Sequence, residues 1–201
     1  MAFTDELRQA ADPIWSAEHE HPFVCGIGEG DLDADKFRHY VRQDYLFLID
    51  YARVLALGCA RAPRLDEMTR FAELVNERPT ATTRAYTDFL LRVAALGDYG
   101  ELAAALLPCM WGYHELAVSL AERGRPDNEL YARWIDEYAG AEFGELTAWC
   151  RTLTDRAAET SDQSRMTDTF LTSSRYELAF WDASWRAEPP LREPRTPSPG
   201  A

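Results

Sequence analysis

The amino-acid sequence predicts an all-α protein, a single-domain bundle of about seven helices. Apolar residues recur every three or four positions over long stretches, which is the spacing of one helix face. The strict alternation of apolar and polar residues that is typical of strands is nearly absent. The chain has 201 residues, which suits one domain with a sizeable core.

The first half of the chain holds three predicted helical segments. The first spans about residues 3–18 and ends before the turn-rich stretch CGIGEGDLD, which we expect to be a loop. A long helix then begins after an N-cap at Asp33 and ends near residue 61, because Pro63 disfavours its continuation. The third segment spans about residues 66–97 and is interrupted by a proline at position 79.

The second half of the chain holds three further predicted helices. Asp98 and Glu101 have the spacing of a capping box and begin a helix that ends at Gly124. The other two cover about residues 128–159 and 162–186, and the earlier one contains two glycines near which we expect a bend.

Composition restricts the partners and the location of the protein. Its net charge of −13 disfavours nucleic acid and anionic membrane surfaces, because both attract basic proteins. No apolar run approaches the roughly 20 residues of a membrane span, and the N-terminus does not resemble a signal peptide. We therefore expect a cytoplasmic protein whose four widely spaced cysteines are free thiols. Five prolines crowd residues 188–201, which predicts a disordered tail after a folded domain of residues 1–187.

Three predicted helices each have a reactive polar residue midway along an apolar face. These residues are Asp44, Cys109 and Glu177. Pro108 precedes the cysteine, so we expect a helix bend there, with Tyr113 one turn later facing the same space. If the three faces converge, a nucleophile, an acid/base and an orienting carboxylate share one pocket.

A structural interpretation competes with this catalytic one. A single cysteine on an apolar helix face more often packs in a core, and a single carboxylate there usually means that the face is partly wet. Three such coincidences leave the two interpretations evenly matched. Glu18 and His21 have the spacing of a metal-binding motif, but the other histidines supply no second motif, so we predict no metal site.

Four stretches together resemble the TenA (thiaminase II) family of aminopyrimidine aminohydrolases. They are HPFVCGIGEGDL, KFRHYVRQDYLFLIDYARVLA, LLPCMWGYHEL and SSRYELAFWDASW. The combination of QDY, P-C-x-W-x-Y and YE-x-x-FW on three separate helices is specific, and the resemblance runs from about residue 5 to residue 186. It implies a heme-oxygenase-like helical bundle that assembles as a homotetramer and needs no metal or organic cofactor.

The resemblance also implies an activity and a site. The expected substrate is a small pyrimidine: 4-amino-5-aminomethyl-2-methylpyrimidine, hydrolysed to the hydroxymethylpyrimidine and ammonia, or thiamin, from which the pyrimidine is released. Cys109 would be the nucleophile and Glu177 the acid/base, while Asp44 would bind the edge of the aminopyrimidine. The further substrate-binding residues that the resemblance implies are Tyr113, Phe47, Tyr86 and Tyr138.

Two other functions stay open at this point. One is a non-catalytic pyrimidine-binding or regulatory protein, which would bind the ligand without turnover. The other is a helical oxidase on the same fold, related to pyrroloquinoline-quinone synthase, which would need clustered histidines or basic residues in its pocket. The sequence leaves open which of thiamin, its degraded pyrimidine or another amine is the physiological substrate.

Overall fold

The computed structural model describes residues 2–64, 67 and 81–188, and within these ranges it contains helices and no strands. The all-α class predicted from the sequence is thus confirmed. The helices are α1 (Phe3–Ala10), α2 (Asp12–His19), α3 (Pro22–Glu29), α4 (Ala34–Arg61), α5 (Ala81–Leu96), α6 (Tyr99–Leu107), α7 (Tyr113–Arg123), α8 (Glu129–Ala139), α9 (Ala141–Ala157) and α10 (Gln163–Arg186), and a π-helical turn, Pro108–Gly112, joins α6 to α7. The interruption predicted at residue 79 and residues 189–201 of the predicted tail lie outside the described ranges.

The N-terminal region differs from the prediction in two places. The single helix expected over residues 3–18 is wrong, because α1 stops at its C-cap, Ala11, and α2 follows with Pro13 in its first turn. A proline there cannot continue the hydrogen-bond ladder of the preceding helix. The loop expected in CGIGEGDLD is also wrong up to Glu29, which ends α3.

Close packing explains the glycines of α3. A Cβ atom at Gly28 would lie 2.6 Å from a methyl carbon of Leu120, so the glycine lets α3 approach α7 closely. Gly30 is the glycine that ends the helix, because its φ of 80° lies in the left-handed region. The glycine pattern predicts a turn, whereas Gly28 serves a contact between helices and Gly30 ends one.

The longer elements agree with the local signals that predicted them. Asp33 caps α4 by accepting from two backbone N–H groups, and the capping box of Asp98 and Glu101 has both of its hydrogen bonds at 2.8 Å. The helix expected over residues 128–159 is divided at Gly140, near which we expected a bend. The structure therefore has more and shorter helices than the seven expected.

The irregularity expected at Pro108 takes the form of the π turn. Proline lacks a backbone N–H and its ring crowds the carbonyl one turn earlier, so the regular α-helical ladder is interrupted there. Because π turns contain one extra residue per turn, this one shifts the register between α6 and α7.

Two buried apolar clusters lie along α10. Met166 and Phe170 belong to the first cluster, together with Trp15, whereas Phe180 and Trp181 belong to the second. Side chains from both clusters line the cavity described below. Among the described helices, none has both the length and the apolar character that a membrane span requires.

Candidate active site

A cavity lies where the two apolar clusters meet. Its empty volume is about 530 Å³ including its mouth, within the usual range of small-molecule sites. Its lining residues are Asp44, Phe47, Tyr51, Tyr86, Cys109, Met110, Tyr113, Tyr138, Phe143, Glu177 and Phe180. All seven residues expected from the sequence are on this lining, which brings together side chains from α4, α5, the π turn, α7, α8, α9 and α10.

Four lining residues were not predicted as site residues. Tyr51 follows Asp44 on the same apolar face of α4, and Phe180 follows Glu177 by three residues, so helix spacing alone could have identified both. Met110 follows the cysteine within the π turn, and Phe143 comes after the helix break at Gly140. No sequence signal indicated these two, because both positions depend on irregular backbone.

Cys109 lies in the π turn with its thiol on the cavity lining. Its Sγ is 3.0 Å from the Tyr51 hydroxyl and 3.0 Å from the Leu106 carbonyl oxygen. Burial and the nearby Glu177 raise the pKa of the thiol well above its usual value, while the Tyr51 hydroxyl lowers it. At neutral pH the thiol is therefore protonated, and attack by sulfur requires the loss of that proton.

Glu177 projects from α10 and is buried. The Tyr86 hydroxyl lies 2.7 Å from its Oε1 atom and 2.8 Å from Ser173 Oγ, which in turn donates to the Ala105 carbonyl oxygen at 2.6 Å. The pKa of Glu177 is raised to about 8, because the effect of burial and the smaller effect of Asp44 outweigh the hydrogen bond from Tyr86, which lowers it. A carboxyl group that is mostly protonated at neutral pH can act as a general acid.

Asp44 projects from α4 into the same cavity. Burial raises its pKa to about 7, so the carboxyl group is about half ionised at neutral pH. Its ionised form is a strong acceptor for an amino group. The two carboxyls and the thiol thus give the cavity little charge near neutral pH.

Aromatic rings form the walls of the cavity. The Phe47 ring stacks on Tyr51 with centroids 5.1 Å apart and lies 5.2 Å from Tyr86. The Tyr138 ring lies 5.2 Å from Tyr113 and meets Phe143 edge to face at 5.0 Å. Such walls favour a flat heteroaromatic ligand, because rings pack well face to face and edge to face.

Glu18 and His21, which have the spacing of a metal-binding motif, lie in the core. Both are buried, and His21 caps α3 through its Nδ1 atom, which accepts from the backbone N–H of Phe23, while its Nε2 lies 3.6 Å from Asp182. Across the part of the chain that is described, no group of three or more histidine, cysteine, aspartate or glutamate side chains is arranged to hold a metal.

Comparisons with known proteins agree on one protein family. A model of the TENA/THI-4/PQQC family matches residues 8–73 and 71–187. The chain is 38% identical to an aminopyrimidine aminohydrolase of Halalkalibacterium halodurans, over 92% of the chain and 96% of the relative. It is 34% identical to the protein of the same name from Bacillus subtilis, over 94% and 92% respectively.

Solved structures give the same result. A TenA homologue from P. horikoshii OT3 has a TM-score of 0.84 and 30% identity, covering 93% of this chain and all of that one. A putative TenA-like thiaminase from Sulfolobus solfataricus P2 has a TM-score of 0.81 and 25% identity, covering 94% of this chain and 98% of that one.

Proposed function

This chain belongs to the TENA/THI-4/PQQC family, and on that premise we propose that it is an aminopyrimidine aminohydrolase of thiamin salvage. Relatives 33–38% identical to it are named for that activity. The observation that supports the proposal best is that a thiol and two carboxyls line one aromatic-walled cavity. The proposed reaction converts 4-amino-5-aminomethyl-2-methylpyrimidine and water into the hydroxymethylpyrimidine and ammonia.

Binding comes first in the proposed mechanism. The pyrimidine ring lies between aromatic side chains, with Phe47, Tyr86, Tyr113 and Tyr138 as the expected contacts. The ionised carboxylate of Asp44 accepts from the 4-amino group and so fixes the rotation of the ring. Because this contact orients the ring against the thiol, it lowers the entropic cost of the attack.

Attack by Cys109 follows. The sulfur forms a bond to a ring carbon beside a ring nitrogen, and Glu177 transfers its proton to that nitrogen. The loss of aromaticity lets the exocyclic C–N bond break, and its electron pair leaves with the nitrogen. The thiol proton goes to the departing amine, directly or through the Tyr51 hydroxyl 3.0 Å from Sγ. Ammonia is thus released and an exocyclic methylene remains.

Water completes the turnover. It adds to the exocyclic methylene carbon, and one of its protons returns to sulfur as the C–S bond breaks. The ring nitrogen returns its proton to Glu177 and the ring regains aromaticity. Thiol and carboxyl end the cycle as they began it, so atoms and charges balance. Release of the pyrimidine from thiamin follows the same steps, with the thiazole as leaving group.

The decisive experiment measures ammonia release from the aminomethylpyrimidine. Cys109→Ser should lower kcat by roughly 10³-fold or more, because the hydroxyl is a much weaker nucleophile. Cys25→Ser is the matched control, since that half-buried thiol is not on the cavity lining. Turnover like that of the unchanged protein in folded Cys109→Ser would refute the mechanism. Binding of the pyrimidine without turnover by the unchanged protein would instead indicate the non-catalytic alternative.

Assembly and location belong to the same proposal. The family resemblance supports a homotetramer, and light scattering on the purified protein tests it. The cytoplasmic location expected from the sequence is tested by cell fractionation. Parallel assays on thiamin and on the aminomethylpyrimidine decide which of the two substrates has the higher kcat/KM.

A further inference from the structure

A chain of four oxygen atoms connects Glu177 to the backbone of α6. The Glu177 Oε1 atom lies 2.7 Å from the Tyr86 hydroxyl, which lies 2.8 Å from Ser173 Oγ, which lies 2.6 Å from the Ala105 carbonyl oxygen. Each distance is that of a good O–H···O hydrogen bond. The three side chains and Ala105 are buried, so their polar atoms have to form hydrogen bonds with one another.

Counting protons decides the direction of these bonds. The Ala105 carbonyl can accept a hydrogen bond and cannot donate one, while Tyr86 and Ser173 each have one hydroxyl proton. Two protons cannot form three hydrogen bonds. The third proton has to come from the carboxyl group of Glu177, which then donates to Tyr86, Tyr86 to Ser173, and Ser173 to Ala105.

The same count shows what ionisation of Glu177 costs. The carboxylate accepts a hydrogen bond from the Tyr86 hydroxyl, and Ser173 can then donate either to Tyr86 or to Ala105. One of the three buried contacts is left without a proton in either case, and such a loss is unfavourable. A hydrogen bond from Tyr86 alone would stabilise the carboxylate and lower the pKa of Glu177. Because Ser173 donates to Ala105 and its oxygen can accept from Tyr86, the complete chain competes with that bond and favours the acid form of Glu177.

We propose that Ser173 is a positioning residue whose hydrogen bond to the Ala105 carbonyl holds Glu177 in its protonated form. The proposal rests on the function proposed above, in which Glu177 donates a proton to the pyrimidine ring. Ala105 lies in the last turns of α6, just before the π turn that contains Cys109. The chain thus ties the general acid to the helix that precedes the nucleophile.

Other titratable groups also influence Glu177, and they come from five of the elements around it. They are Glu18 from α2, Asp44 and Tyr51 from α4, Tyr86 from α5, Cys109 from the π turn and Tyr113 from α7. These groups are present in the variants proposed below, so a change at Ser173 isolates the contribution of the oxygen chain.

The test is a pH titration of Glu177 followed by NMR on protein labelled with ¹³C at the glutamate carboxyl carbons. The Glu177 resonance is assigned as the one that Glu177→Gln removes. Ser173→Ala should lower the pKa of Glu177 by about one pH unit, because Tyr86 is then free to donate to the carboxylate and one hydrogen bond no longer opposes ionisation. The alkaline limb of kcat/KM should move by the same amount.

Ser174→Ala is the matched control. Ser174 is the next residue of the same helix, is equally buried, and accepts from the Trp15 indole N–H at 3.1 Å without touching the oxygen chain. The Ser174→Ala variant should leave the pKa of Glu177 unchanged. If Ser173→Ala fails to fold, Ser173→Cys keeps the volume and should shift the pKa in the same direction, because a thiol is a weak donor.

The outcomes separate the two proposals. A Glu177 titration in Ser173→Ala that matches the unchanged protein, or an equal shift in Ser174→Ala, would overturn the role of Ser173. If the shift occurs but the unchanged protein releases no ammonia, the role of Ser173 stands and the proposed function fails. Ser173→Thr, which keeps the hydroxyl, should retain the original titration.

Discussion

Replacement of Glu177 by glutamine should stabilise the protein relative to the unchanged protein, and this stabilisation should grow as the pH rises. In the unfolded chain the glutamate ionises near its ordinary pKa of 4.5, whereas burial raises its pKa to about 8 in the folded protein. A raised pKa means that the folded state binds the proton more tightly than the unfolded state. Its contribution to stability is therefore full below pH 4.5 and is lost as the pH rises towards 8. Glutamine cannot ionise and avoids this loss.

The size of the effect follows from the shift. One pH unit of pKa difference corresponds to about 1.4 kcal/mol, so a rise from 4.5 to about 8 is worth about 5 kcal/mol. The free energy of unfolding of Glu177→Gln relative to the unchanged protein should thus increase by about 5 kcal/mol between pH 4 and pH 9, and it should level off once Glu177 is ionised in both states. The raised pKa of Asp44 is present in both proteins, so its effect on the difference largely cancels.

Urea unfolding at pH 4, 6, 8 and 9 measures this difference. Glu142→Gln, a change at an exposed glutamate, controls for the loss of one carboxyl group. The chemistry predicts opposite effects on the two properties of the Glu177 variant, namely higher stability at pH 8 and little aminohydrolase activity. A stability difference between Glu177→Gln and the unchanged protein that does not vary with pH would refute the argument that burial keeps the carboxyl protonated.

Two further predictions concern the thiol and the second carboxyl. Iodoacetamide should alkylate Cys109 slowly at pH 7 and faster as the pH rises beyond 9, because burial keeps the thiol protonated, and mass spectrometry of the labelled peptide measures the rate. Rapid labelling at pH 7 would contradict the raised pKa. Asp44→Asn should lower kcat/KM by roughly 100-fold, because an amide is a weaker acceptor for the 4-amino group than a carboxylate. Steady-state kinetics with no change in KM or kcat would show that Asp44 does not hold the ring.

Local signals account for most of the fold that was predicted correctly. Asp33 was identified as an N-cap and Asp98 with Glu101 as a capping box, because the side chains that cap a helix lie within three residues of the backbone groups they satisfy. The loop predicted for the glycine-rich stretch is wrong for the opposite reason. Gly28 faces Leu120, 92 positions away in the sequence, and no local pattern distinguishes a glycine needed for contact from one needed for a turn.

The candidate site was predictable to the extent that helix periodicity could reach it. Asp44, Cys109 and Glu177 stand out because each is polar on an otherwise apolar face, and the family resemblance adds four aromatic residues to them. Neither helix periodicity nor the family resemblance identifies Phe143 and Met110, since Phe143 follows a helix break and Met110 lies in the π turn. Periodicity assumes a regular helix, so it fails where the backbone is irregular.

By itself, the sequence determined the helical class, the ends of the long helices and the reactive residues on their inner faces, because these depend on spacing of a few residues. Only the tertiary structure decided how those residues behave. The raised pKa values of Glu177 and Asp44 come from burial among distant helices. The oxygen chain from Glu177 through Tyr86 and Ser173 to Ala105 joins α10, α5 and α6. Desolvation and long-range hydrogen bonds arise only when the chain is packed, so no local pattern records them.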